Sequence, residues 1–269
     1  MEFVYSLLLL GAVALVAGII LTIAAKFMAV PVDPNQIKVR ECLPGANCGA
    51  CGFAGCDDYA GAVAADPNVP VNACVPGGAA VAEAIAAALG REAGDEADPL
   101  VARVACRGTC DKKKKVSAYT GFRSCKMAAQ TTKAGNACQF GCIGFGDCVA
   151  ACKFGAMDII DGVAVVNRSK CAGCGACANA CPQNLITIAK ASSRVFVGCS
   201  SEDKGADTRK VCEAGCIACG KCVKTCKFDA ISIVDNHAVI DPEKCKNCGM
   251  CAKECPMHII QVVPRNFTK

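Results

Sequence analysis

Cys216, Cys219, Cys222 and Cys226 follow one another as C-x2-C-x2-C-x3-C. The same pattern recurs at Cys171, Cys174, Cys177 and Cys181, and at Cys245, Cys248, Cys251 and Cys255. Cysteine thiolates are soft, anionic donors suited to iron–sulfur clusters. Three closely spaced cysteines can wrap a loop around three corners of a cubane. The chain then leaves as a helix, so the fourth cysteine points away, toward a second cubane. Zinc is the alternative, but it usually takes two separated C-x2-C pairs.

Paired in this way, the motifs define sites. Cys216, Cys219 and Cys222 are expected to hold one cluster with Cys255, and Cys245, Cys248 and Cys251 its neighbour with Cys226. Upstream, Cys171, Cys174 and Cys177 are expected to share a cluster with Cys152. The partner of that site is irregular, because Phe145 stands where the later repeat has Cys219. Cys142 and Cys148 remain there, with Cys181 crossing over and Cys138 the nearest replacement. Cys106, Cys110 and Cys125 are left over and form a candidate extra site, with Cys138 as an alternative member. Cys48, Cys51, Cys56 and Cys74 make a further set, with Gly49, Gly52 and Gly55 letting the backbone approach the inorganic core. A zinc knuckle is the alternative for that segment. Cys42, Cys199 and Cys212 fit no site and read as buried thiols.

The elements that must position these residues are repeated. GCIGFGDCVAACKFGAMDIIDGVAVVN (141–167) matches GCIACGKCVKTCKFDAISIVDNHAVID (215–241), and 170–188 matches 244–262. Each unit has the size of a two-cluster ferredoxin. Asp161-Gly162 between apolar runs signals a hairpin, and NLITI and HIIQV are expected to supply returning strands. Helices are expected over 57–65 and 76–90, an extended linker over 31–36 because of its two prolines, and a boundary in the charged, turn-prone run 91–99. Such small units carry little apolar core, so metal must drive their folding.

Of 269 residues, 26 are cysteine, far above ordinary usage. Disulfides or metal ligation would each explain that number, depending on compartment. Residues 4–25 carry no charge and are long enough to span a bilayer as a helix. Glu2 precedes the run and Lys26, Lys38 and Arg40 follow it, which places the C-terminal side in the cytoplasm. The cysteines then face a reducing compartment. The formal charge of +5 is no argument for nucleic acid. Each thiolate-bound four-iron cluster carries roughly −2, so five would bring the total to about −5. No dinucleotide fingerprint or P-loop is visible. His237 and His258 fall on expected strands as packing or surface residues.

LPGANCGACGFAGC (43–56), CVPGGAAVAEAIAAALG (74–90) and the tandem modules behind one N-terminal span together resemble the B subunit of the Rnf complexes. These are membrane-bound ferredoxin:NAD oxidoreductases that move Na+ or H+. The likeness covers essentially the whole chain and is closest to the cluster-rich anaerobic form. It implies an α+β protein with an N-terminal transmembrane helix (1–30) and a four-cysteine [4Fe-4S] domain with a helical linker (31–100). Two ferredoxin-like modules (101–190 and 191–269) follow. It implies at least five [4Fe-4S] clusters, with a sixth open, and no bond-making site of the chain's own. The expected partners are reduced ferredoxin as donor, the other complex subunits and the membrane, with no nucleic acid. The chain is expected to cross the inner membrane once, its cluster domains cytoplasmic. Other readings are a subunit of another membrane dehydrogenase or hydrogenase, and an iron–sulfur redox sensor. DKKKK (111–115) reads as a solvated loop or as a docking patch for an acidic ferredoxin.

Overall fold

The computed structural model describes residues 2–27, 33–94 and 98–264. Helix α1 (Glu2–Phe27) runs 26 residues, about 39 Å at 1.5 Å per residue. Its side chains are described without a break only over 8–24, and among the described residues no helix is long and apolar enough to cross a membrane. Leu9, Leu10, Leu21 and their neighbours on α1 are exposed.

A helical unit follows: α2 (Pro34–Cys42), α3 (Cys56–Ala65) and α4 (Gly78–Leu89). The extended linker expected over 31–36 is corrected from residue 34 onward; residues 31 and 32 lie outside the described residues. Pro34 occupies the first helical turn, where its missing N–H costs nothing. The Asp33 carboxylate caps that turn by accepting from the Asn35 N–H at 2.8 Å. The two helices expected at 57–65 and 76–90 form as α3 and α4, and α4 stops at Gly90 in the left-handed conformation. Val39, Tyr59, Val63 and Ile85 are fully buried between the three helices, and the Tyr59 hydroxyl donates to the Pro70 carbonyl at 2.8 Å.

The remainder holds the two repeats. In the first, β1 (Leu100–Val104) pairs antiparallel with β4 (Ile186–Lys190), and β2 (Met157–Ile160) with β3 (Val163–Val166). In the second, β5 (Val195–Val197) pairs with β8 (Ile260–Val262), and β6 (Ile231–Val234) with β7 (His237–Ile240). The expected hairpins form, with Asp161, Gly162, Asp235 and Asn236 all at positive φ, as a primed turn demands. The returning strands differ from expectation. β4 and β8 do not join the hairpins; they pair with β1 and β5, short strands at the start of each module that carry no motif of their own. His237 lies on β7, whereas His258 falls ahead of β8 at φ 49°.

Six further helices are short: α5 (Cys125–Ala129), α6 (Asp147–Ala150), α7 (Ala176–Ala180), α8 (Gly205–Val211), α9 (Lys221–Thr225) and α10 (Met250–Glu254). Four of them, α6, α7, α9 and α10, lead from the third cysteine of a motif toward the fourth. Each begins after a left-handed glycine: Gly146, Gly175, Gly220 and Gly249. That conformation turns the chain sharply from loop into helix.

The modules differ in one long insertion. β1 and β5 are equivalent, and so are Cys142 and Cys216, yet residues 107–137 occupy the space that 200–211 fill in the second repeat. The insertion lies on its neighbour. The Lys114 N–H donates to the Val211 carbonyl at 2.9 Å, and the Glu213 N–H to the Lys112 carbonyl at 2.8 Å.

Gly173 tests how tightly a cysteine loop packs on its sheet. It sits at φ +68°, and a Cβ there would lie 2.7 Å from the carbonyl carbon of Leu100 on β1. Gly173→Ala is expected to destabilise the first module by about 2–3 kcal/mol, read as a lower Tm in anaerobic thermal unfolding. Gly61→Ala, on α3 beside the flexible Gln36 side chain, is expected to stay within about 1 kcal/mol of the parent.

Candidate cluster-binding sites

The cysteine loops close on cavities. One of about 340 Å³ is lined by Cys216, Cys219, Cys222 and Cys255. Another of about 300 Å³ is lined by Cys152, Cys171, Cys174 and Cys177. In both, three cysteines come from one loop and the fourth from the end of a short helix in the other half of the module. Cys245 and Cys248 adjoin Cys251, and Cys226 and Cys245 pack against the same core. In the helical unit, Cys48, Cys51 and Cys56 surround Cys74.

The irregular site differs from the sequence expectation. Its cavity, about 380 Å³, is lined by Cys125, Cys142, Cys148 and Cys181. Cys125 takes the place expected of Cys138. The insertion delivers it, and Asp147 holds it there. The Asp147 carboxylate accepts from the N–H groups of Cys125 (2.9 Å) and Lys126 (3.0 Å) and from the Ser124 hydroxyl (2.9 Å). Burial works against that carboxylate's charge, but these hydrogen bonds outweigh it and hold the pKa below the usual range. Phe145, standing where Cys219 does in the second repeat, packs on Tyr119 with ring centroids 5.4 Å apart. It anchors the insertion that carries its replacement.

The expected grouping of Cys106, Cys110 and Cys125 does not form. Cys125 joins the site just described. Cys110 is exposed, its N–H bonded to the Asp161 carbonyl at the hairpin turn. Cys106 faces Cys138 and Cys212.

The electrostatics limit what these sites can hold. Burial, then the neighbouring thiols Cys142, Cys125, Cys181 and Cys177, push Cys148 up to about 12. Burial pushes Cys177 up to about 11, with Cys171, Cys174 and Cys152 adding to it, and Cys251 up to about 11, with Cys245 and Cys248 adding. Each of these three thiols keeps its proton near neutral pH. A cationic iron core is the group that would draw the protons off and accept four soft thiolates. Among the described residues no three Cys, His, Asp or Glu side chains close on a single metal ion. A cubane instead spreads its ligands over four corners, and the four-cysteine cavities fit that distribution.

Two lysines join the sites to their surroundings. Lys113 is 5% exposed, and its Nζ donates to the carbonyls of Cys142 (2.8 Å) and Gly162 (3.0 Å). One member of DKKKK is thus a buried cation beside a cysteine loop, while Lys112, Lys114 and Lys115 are exposed. Lys153 stands where a bacterial ferredoxin has proline. Its Nζ donates to the carbonyls of Ala46 (2.8 Å) and Asn47 (3.1 Å), just ahead of Cys48, which ties the first module to the helical unit.

Paired cysteine loops on twofold-repeated small sheets define a class: multi-cluster [4Fe-4S] electron-transfer proteins of the ferredoxin type. Comparison with known proteins agrees. A family model described as "Putative Fe-S cluster" matches residues 43–76, and models described as "4Fe-4S dicluster domain" match 141–186, 170–230 and 215–259. The B subunit of the Na(+)-translocating ferredoxin:NAD(+) oxidoreductase complex of Acetobacterium woodii is 43% identical, over 88% of this chain and 71% of its own length. The B subunit of the ion-translocating oxidoreductase complex of Methanosarcina acetivorans is 41% identical, over 89% and 90%. The B subunit of the proton-translocating ferredoxin:NAD(+) oxidoreductase complex of Clostridium ljungdahlii is 40% identical, over 89% and 84%. The chain belongs to this family, the B subunits of the ion-translocating (Rnf) oxidoreductase complexes. It is an electron-transfer subunit carrying several iron–sulfur clusters.

The exchange of Cys138 for Cys125 is open to a direct measurement. Cys125→Ala, purified anaerobically, is expected to lose about four irons per chain, whereas Cys110→Ala keeps the full complement. Equal iron in Cys125→Ala and the parent protein would return Cys138 to this site.

Proposed function

We propose that this chain takes electrons from reduced ferredoxin and relays them through at least five [4Fe-4S] clusters to the membrane subunits of an Rnf-type complex. There, electron flow to NAD is coupled to movement of Na+ or H+. The proposed ligand sets are Cys48/Cys51/Cys56/Cys74, Cys125/Cys142/Cys148/Cys181, Cys152/Cys171/Cys174/Cys177, Cys216/Cys219/Cys222/Cys255 and Cys226/Cys245/Cys248/Cys251. The observation that carries the reading is the series of four-cysteine cavities within one chain, joined to the resemblance of nearly its whole length to subunits of that name. When bound, the clusters supply one-electron chemistry. The protein's part is to hold them at fixed separations, exclude water and set their potentials through hydrogen bonds and nearby charge.

The proposed units are an anchor (1–30), a four-cysteine domain (31–99) and modules over 100–190 and 191–269; Leu100 joins the first module because it begins β1. α1 is proposed to cross the inner membrane once, with the cluster domains in the cytoplasm. Its uncharged run and exposed leucines support this. Deletion of residues 1–30 is expected to move the chain from the membrane fraction to the soluble fraction with its iron intact. A deleted chain that still sediments with membranes would show that α1 is not the anchor.

Ferredoxin docking is proposed at Lys112, Lys114 and Lys115. Transient redox encounters are small and gain on-rate from complementary charge, which salt screens. Replacing the three with Gln is expected to slow electron uptake from reduced ferredoxin at low salt and to flatten the salt dependence of the rate. Lys113 is left in place because it is buried. A stopped-flow rate with unchanged magnitude and salt slope would move docking elsewhere.

A further inference from the structure

A fourth cavity has the same character as the three described above, yet none of its cysteines belongs to a spacing motif. It measures about 280 Å³ and is lined by Cys106, Cys138, Cys199 and Cys212. By spacing alone, Cys199 and Cys212 read as plain buried thiols, and Cys106 and Cys138 as members of other sites. Their origin is symmetric. Cys106 follows β1 by two residues and Cys199 follows β5 by two. Cys138 precedes Cys142 by four residues and Cys212 precedes Cys216 by four. Each repeat therefore contributes one equivalent pair, and the cavity lies where the repeats meet.

The surrounding backbone is shaped to leave room. Gly108, Gly141, Gly198 and Gly215 line the cavity. A Cβ on Gly198 would lie 2.7 Å from Cγ of Arg107 and 3.0 Å from the Ile259 carbonyl oxygen, and one on Gly215 would run into the Thr208 methyl. Two backbone N–H groups point at its sulfurs. The Cys142 N–H donates to Cys106 Sγ at 3.4 Å, and the Cys216 N–H to Cys199 Sγ at 3.2 Å. Hydrogen bonds to sulfur are among the features that set cluster potentials. Here the two donors belong to cysteines of the adjoining sites, one in each module. Plain buried thiols would account for one or two such residues. They would not account for two equivalent pairs converging on one glycine-lined cavity.

We propose that Cys106, Cys138, Cys199 and Cys212 hold a [4Fe-4S] cluster at the junction of the modules. It would pass single electrons between the Cys125/Cys142/Cys148/Cys181 site and the Cys216/Cys219/Cys222/Cys255 site. Each transfer reduces one cluster as it oxidises its neighbour, with no bond made or broken. The relay role rests on the electron-transfer reading above; the existence of the site does not. With it, six sets of four account for every cysteine of the 26 except Cys42 and Cys110.

The test uses the full-length, anaerobically purified protein, reduced with dithionite so that the result does not depend on ferredoxin as donor. Cys199→Ala and Cys212→Ala are each expected to lose about four irons and about four sulfides per chain, along with one component of the reduced EPR spectrum. Cys42→Ala and Cys110→Ala are expected to lose none. Full iron and sulfide in both Cys199→Ala and Cys212→Ala, or a loss that follows Cys110→Ala instead, would overturn the proposal. Should the alanine variants fail to accumulate, the parent protein decides. About 24 irons per chain supports the sixth site and about 20 overturns it.

Discussion

The crowding of cysteines into four-cysteine cavities is the constraint on which the structure turns. The interior of the first module is made largely of cysteine, alanine and valine and that of the second of cysteine and isoleucine, with Leu185 and Ile259 the large side chains most deeply buried there. Two-stranded sheets of three to five residues are marginal on their own. Iron–thiolate bonds would join each loop to a helix end in the other half of its module, replacing what a larger apolar core supplies elsewhere. Without metal, burial pushes the pKa of Cys142, Cys148, Cys177, Cys222 and Cys251 up, and neighbouring thiols add to it. Assembly of the clusters and completion of the fold are then one process.

The repeat shows how a four-cysteine cavity forms where the motif lacks one cysteine. In the first module the chain has Phe145 where the second has Cys219. A long insertion compensates, supplying Cys125 from outside the loop, with Asp147 bracing it through three hydrogen bonds. The insertion also carries Lys113 to the carbonyl of Cys142 and pairs its backbone with residues 211–213. A lysine ammonium beside a cysteine loop would favour the reduced, more negative state of a cluster held there. One segment thus completes a four-cysteine cavity, sets a lysine beside it and ties the modules together.

Local patterns are legible in the chain itself. The C-x2-C-x2-C-x3-C runs, the Asp161-Gly162 hairpin and the helices at 57–65 and 76–90 each depend on neighbours within a few residues. The linker at 31–36 departs from its extended reading because proline forbids a helix interior but favours a first turn, and Asp33 tips the balance through its cap. β1 and β5 escape a linear reading because a short strand has no signature until its partner is known. β4 and β8 pair away from the nearer hairpins for the same reason. The equivalence of Cys138 and Cys212 does leave a trace: ACQFGC (137–142) aligns with VCEAGC (211–216) if the repeat is followed four residues upstream.

The sequence by itself determined the class of chemistry and the repeat, and its spacing carries the proposed regular ligand sets, because a cubane loop would encode three of its ligands within about seven residues. Only the tertiary structure put Cys125, and not Cys138, in the cavity with Cys142, Cys148 and Cys181, buried Lys113 among exposed lysines, and brought Cys106, Cys138, Cys199 and Cys212 to one cavity. Those outcomes depend on segments tens of residues apart meeting across the junction of two modules. Spacing along the chain carries no record of such a meeting.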